Sequence, residues 1–216
     1  MSGTKIRLIL QSIVVLLSIT QNSYAQENTL TGSQSYILPD LPYTYNEEFC
    51  DFTFKLPKEP RISPMKKLKE EYNLQGTSVS FVEVFDIDKS IRISGNCKEL
   101  NKDVRKAITA VSIDQELEAI IQDEQIKVQS KENKLFPKQR LRIATLVGQR
   151  EANKKGGIYM YQIWVADNSV FTLETEVTGP PHEGTDKLFV AILRSFQKRV
   201  SAVSYTHLTL PTTPYV

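Results

Sequence analysis

The residues best suited to chemistry gather around one histidine. His182, Glu183 and Asp186 fall within six residues of the run Pro181-His182-Glu183-Gly184-Thr185-Asp186. An imidazole beside two carboxylates is the residue set of a metal site or of general acid–base catalysis. The same run also reads as the start of a helix, with Thr185 as its cap and the acids near the positive end of the helix dipole. We favour this second reading, because a loop cluster without a recognised motif is a weak signal. Glu174 and Glu176 form another carboxylate pair, but they fall on the polar side of an alternating strand, where a solvated face is expected. The chain has two histidines. His207 lies in a terminal segment set aside below, so any triad or histidine-based zinc site would have to use His182.

Other catalytic signatures are missing from the sequence. It has no Gly-x-Ser-x-Gly elbow, His-Glu-x-x-His pair, Walker loop or Gly-x-Gly-x-x-Gly turn. Gly156 and Gly157 suit a tight hairpin loop without a phosphate. No cofactor is expected. Cys50 and Cys97 are too far apart for a Cys-x-x-Cys redox pair or a short-spaced zinc ligand pair. In an oxidising compartment such a pair is most simply a disulfide. Tyr159, Tyr161 and Trp164 are the aromatic candidates for a binding surface. Strand alternation puts the two tyrosines on one side and Trp164 on the other, and Trp164 is assigned to the core.

The elements that must carry these residues follow from periodicity. Phe52, Phe54 and Leu56 alternate with polar residues as a half-buried strand. Met65–Tyr72 has helical spacing. Residues 77–87 and 90–95 read as a hairpin, with Val79, Phe81, Phe85 and Ile87 facing inward. The two cysteines would then staple neighbouring elements of one sheet. Ser112 with Gln115 fits a capping box, followed by a stripe of Ile113, Leu117, Ile120, Ile121 and Val128. Leu100–Val111 is either a separate helix or part of this one. Strands over 141–147, 158–165 and 171–177 form a meander, with a turn at Asp167-Asn168. A last helix carries Leu188, Phe189, Ile192, Leu193 and Phe196. Runs of strands broken by helices predict a single α+β domain. We expect a mainly antiparallel sheet of about six strands packed with helices, as an α/β/α-like sandwich over residues 49–202.

The ends of the chain predict its compartment. Lys5 and Arg7 precede the apolar stretch Leu8–Ile19, and Ser23 and Ala25 provide small residues at a cleavage point. This is the grammar of a secretory signal peptide over residues 1–25, too short to span a bilayer. Residues 26–48 read as a mostly loose arm whose tyrosines could dock on the domain. The full chain carries 27 basic against 25 acidic residues. The leader takes two basic residues with it, and the remainder balances. A neutral domain offers no basic face for nucleic acid. No later segment is apolar enough to be an integral membrane segment.

Two segments carry resemblances. Phe52-Thr53-Phe54-Lys55-Leu56-Pro57 and Leu188-Phe189-Val190-Ala191-Ile192-Leu193-Arg194-Ser195-Phe196 resemble the opening strand and closing helix of the PsbP/Mog1-like family. The resemblance implies an exported binding or assembly factor. Both are packing motifs, so no catalytic residue is carried across. Val203–Thr212 resembles the in-frame translation of a sequencing-library adapter. Residues 203–216 are therefore expected to be a non-native tail and are excluded from the fold.

The functional expectation is a soluble exported protein of the cell envelope, periplasmic or secreted. It would be a non-enzymatic factor for an envelope protein or small ligand, with Tyr159, Tyr161, His182, Glu183 and Asp186 as its candidate binding surface. One alternative is a small hydrolase or metal-dependent enzyme centred on the 182–186 loop. Another is a secreted effector acting on a different cell.

Overall fold

The computed structural model describes residues 39–151 and 156–199. The expected signal peptide, the arm up to residue 38 and the tail at 203–216 lie outside the described residues, as do Lys154 and Lys155.

Ten strands and four α-helices are present among the described residues. In chain order they are β1 (Tyr43–Tyr45), β2 (Phe52–Leu56), β3 (Arg61–Pro64), α1 (Lys66–Tyr72), β4 (Gly76–Asp86), β5 (Lys89–Glu99), α2 (Lys102–Ala107) and α3 (Ala110–Asp123). There follow β6 (Ile126–Phe136), a 3-10 turn at Pro137–Gln139, β7 (Leu141–Arg150), β8 (Gly157–Val165), β9 (Ser169–Thr178), α4 (Glu183–Ser195) and β10 (Gln197–Lys198). The strands form two antiparallel sheets. The large one has seven strands in the order β3-β4-β5-β9-β8-β7-β6, and the small one has three in the order β1-β2-β10. The class is mixed α+β, with more strands than the six expected.

Most of the surplus is explained by strand chemistry. β6 is an edge strand with exposed lysines and a register shift between Val128 and Ser130. That is how edges avoid pairing with other chains, and it erases the alternation by which strands are recognised. Val128 therefore belongs to β6 and not to the helix before it. β3 is short and ends in Pro64, which suits an edge. β10 has two residues, too few to show a period. The expected loose arm contributes β1, whose Tyr45 is buried and shares a hydrogen bond of 2.7 Å with the Thr77 hydroxyl.

Residues 100–123 form two helices. Asn101 caps α2 through Asp103 N–H and Val104 N–H. α3 starts one turn earlier than expected. Thr109 is its cap and Ser112 closes the capping box, each side chain serving the other's backbone N–H. Gln115 has no part in it.

Alternation along the large sheet divides the core in two. Ile158, Met160 and Trp164 of β8 join a cluster with Phe52, Phe54 and Leu56 of β2 and Leu188, Phe189 and Ile192 of α4. Tyr159, Tyr161 and Ile163, on the other face, join a second cluster with Ile113 and Leu117 of α3. β8 is apolar on both faces because both are covered. Buried polar groups in the first cluster are paired: Trp164 Nε1–H donates to Gln162 Oε1 at 3.3 Å, and Gln162 donates to Thr145 at 3.2 Å.

Cys50 and Cys97 form a disulfide. Cys50 precedes β2 and Cys97 lies in β5, so the bridge joins the small sheet to the large one. It does not staple neighbours within one sheet. Among the described residues no helix is long and apolar enough to cross a membrane.

Candidate functional site

His182, Glu183 and Asp186 all lie at the start of α4, where their interactions serve the helix. His182, not Thr185, is the cap. Its Nδ1 accepts from the Thr185 backbone N–H at 3.3 Å and lies 3.2 Å from the Thr185 hydroxyl. Accepting at Nδ1 places the neutral ring's proton on Nε2. A base needs a free lone pair, and this one is engaged by the backbone. Glu183 pairs with Lys187 at 2.6 Å, one turn on. The hydrogen bond and charge of Lys187 hold its carboxyl below the ordinary value. Burial pushes the Asp186 carboxyl upward, against the smaller opposing effect of His182. Among the described residues no three His, Cys, Asp or Glu side chains gather as metal ligands.

Tyr159 and Tyr161 are 2% and 8% exposed, beneath α3. They offer no open surface, and they lie on the sheet face opposite α4. The five candidate residues are therefore not one site. Burial, aided by Glu116, pushes the Tyr161 hydroxyl up to about 12. Burial also raises Tyr159, whose ring lies 4.7 Å beneath the Arg150 guanidinium.

Arg150 was not singled out by the sequence, yet it organises this edge. It pairs with Glu124 at 3.0 Å, Glu174 at 2.6 Å and Glu176 at 2.9 Å. Burial disfavours its charge, but the charges of Glu176, Glu124 and Glu174 outweigh that and raise its pKa. Glu174 and Glu176 are thus salt-bridged, and Glu176 is buried; they are not a solvated face. β8–β9 pairing sets Tyr159 opposite Glu176 and Tyr161 opposite Glu174. The start of β8 at this corner needs glycine: a side chain at Gly157 (φ 144°) would meet the Val177 carbonyl at 2.1 Å.

The same face of the sheet continues past α3 as a polar floor. Cross-strand pairing lines up Ser78, Asn96 and Thr172 in one row, and Ser80, Ser94 and Glu174 in the next. Ser78 donates to Asn96 at 2.7 Å, and Ser90 and Thr178 share a bond of 2.8 Å. These side chains are half-buried or exposed.

The floor ends at an apolar tip. Ile87 is 91% exposed and Val84 66%, with Val82 and Phe85 also exposed. Phe85 and Ile87 were expected to face inward. A register shift between Val84 and Asp86 breaks the alternation there, and the turn residue Ile87 lies beyond the core. The Phe85 ring lies 6.1 Å from that of His182, linking the tip to the start of α4.

No family model matches this chain, and no curated protein matches it.

Proposed function

We propose that the chain is an exported, non-enzymatic binding or assembly factor of the cell envelope, periplasmic or secreted, built as an α/β/α-like layered domain akin to the PsbP/Mog1-like group. The observation that carries this reading is the exposed end of the β4–β5 hairpin. Val82, Val84, Phe85 and Ile87 present large apolar side chains to water at one end of one element. Single exposed apolar residues are ordinary, but a cluster marks an interaction surface. The adjoining floor of Ser, Thr and Asn side chains offers hydrogen-bonding groups around that apolar centre, the usual anatomy of a protein interface. Export is supported by the disulfide, which belongs to an oxidising compartment. A binding role over catalysis is supported by the engagement of His182 Nδ1 as a helix cap.

The test replaces Val84 and Ile87 by lysine and places a photo-crosslinker at residue 87 of the otherwise native chain. An envelope protein should be captured from residue 87 but not from a control position on α1, and the V84K/I87K protein should fail to retain it while keeping its thermal midpoint. Equal retention by the variant, or turnover in a substrate screen lost on His182→Ala, would overturn the reading. Export itself predicts a product in the envelope fraction starting at Gln26.

A further inference from the structure

We propose that the cationic cluster around Asp167 is a binding site for a small phosphate-type oxyanion. Asp167 lies in the β8–β9 turn, and three cations from three elements converge on its carboxylate. Arg105 of α2 donates to Oδ1 at 2.9 Å, and Arg140, just after the 3-10 turn, reaches the same oxygen at 3.0 Å. Lys198 of β10 lies 3.5 Å from Oδ2 and donates to the Gln139 carbonyl at 2.8 Å. Arg105 also donates to the Asp167 backbone carbonyl.

Three positive groups facing one carboxylate leave a surplus of two charges. One more carboxylate and one more guanidinium lie beside the same turn, Asp51 and Arg199, and they cancel in number. Asp51 accepts from the Asn168 and Ser169 N–H groups on the same turn. Arg199 lies beside it: its N–H donates to the Asp51 main-chain carbonyl and its guanidinium to the Glu47 and Cys50 carbonyls. Two guanidinium groups held at a single oxygen repel each other, and a dianion bound between them would relieve that repulsion. Guanidinium groups suit this ligand, since their planar N–H donors match phosphate oxygens in pairs.

Two further observations single out Arg140. Its side chain is 70% exposed, and Nη2 is the nitrogen that contacts Asp167. Its backbone is left-handed, with φ 49°, where the turn closes through its N–H to the Pro137 carbonyl. Glycine or asparagine is favoured at such a position. An arginine there accepts a backbone cost and places a second guanidinium beside a carboxylate already occupied by Arg105. This site lies apart from the hairpin tip and stands or falls independently of the role assigned to it.

The test titrates the whole domain with inorganic phosphate and, separately, with glycerol phosphate, replacing chloride at constant ionic strength. Saturable binding should follow by calorimetry, with a rise in thermal midpoint. Arg140→Asn keeps the left-handed turn and removes the charge; it should weaken binding at least about tenfold, as expected when one charge-assisted contact of ~1.4 kcal/mol or more is lost. Binding of both ligands would assign the site to phosphate monoesters, and binding of phosphate alone to the free anion. No saturable binding to either, or equal affinity in folded Arg140→Asn, would overturn the proposal.

Discussion

The ring of Phe54 lies on the ring of Phe196, with centroids 4.7 Å apart and planes 14° from parallel. Phe54 belongs to β2 near the start of the described chain, and Phe196 follows α4 near its end. Both meet the edge of Phe171 in β9, at 5.8 Å and 5.1 Å. Three rings thus fasten the small sheet and α4 to the large sheet, and β10 completes the closure by pairing with β2. Aromatic pairs of this geometry add about 0.5–1.5 kcal/mol beyond the area they bury.

Phe171→Ala is expected to be among the most damaging single substitutions, because Phe171 is fully buried and touches both partners. The loss should be about 3–5 kcal/mol by urea denaturation. A loss below about 1 kcal/mol would show that the three-ring contact does not hold the layers together.

The Cys50–Cys97 bridge closes a loop across a sequence separation of 47. The chain-entropy treatment gives a stabilisation of about 4 kcal/mol for a loop of this length. Replacing both cysteines by serine should lower the denaturation midpoint accordingly, and reductant should affect the native protein but not the double variant.

His182 acts as a backbone cap, so its substitutions should read out in stability. His182→Ala should cost about 1 kcal/mol, and His182→Asn, which restores a good cap, should recover most of it. Unchanged stability in the alanine variant would mean that the Nδ1 contact contributes nothing to α4.

Asp167 gives an acid-range signature. Burial works to raise its carboxyl, but the Arg105 hydrogen bond and the charges of Lys198, Arg140 and Arg105 outweigh it and hold the group below the ordinary value of 3.8. A folded pKa below the unfolded one means stability that is present above 3.8 and lost as pH falls through the lower folded value. Asp167→Asn should therefore flatten the pH dependence of the urea midpoint in that window and lower the midpoint at neutral pH. Parallel curves for the two proteins would contradict the assignment.

Gly157→Ala should destabilise strongly. The added methyl group meets the Val177 carbonyl oxygen across the β8–β9 pair, and the positive φ disfavours any side chain. A loss greater than about 2 kcal/mol is expected, against a smaller loss of about 1 kcal/mol for the same change at Gly156, where nothing stands within 4 Å and only the left-handed backbone opposes a side chain.

The meander of β7, β8 and β9, the hairpin of β4 and β5 and the helix α4 were legible in the sequence, because each buries a face and so carries the period of its own geometry. The disulfide was legible from the count and spacing of the cysteines, and Trp164 as core from its place in β8. The apolar stripe of α3 was also readable, but its cap was not: Ser112 with Gln115 fits the usual pattern of Ser or Thr followed three residues on by Glu or Gln, whereas the box is closed by Thr109 with a serine, Ser112, in that third position.

What tertiary structure alone decided was coverage and convergence. Alternation put Tyr159 and Tyr161 on one side of a strand, but whether a helix lies over that side depends on how α3 folds back, and it does. The edge strands β6 and β10 show no period of their own, since polar edges and two-residue pairs bury too little to impose one. The partners of Arg150 and Asp167 are drawn from segments far apart in the chain. Local patterning records which residues face the core, whereas long-range ion pairs depend on where the ends of several elements meet in space.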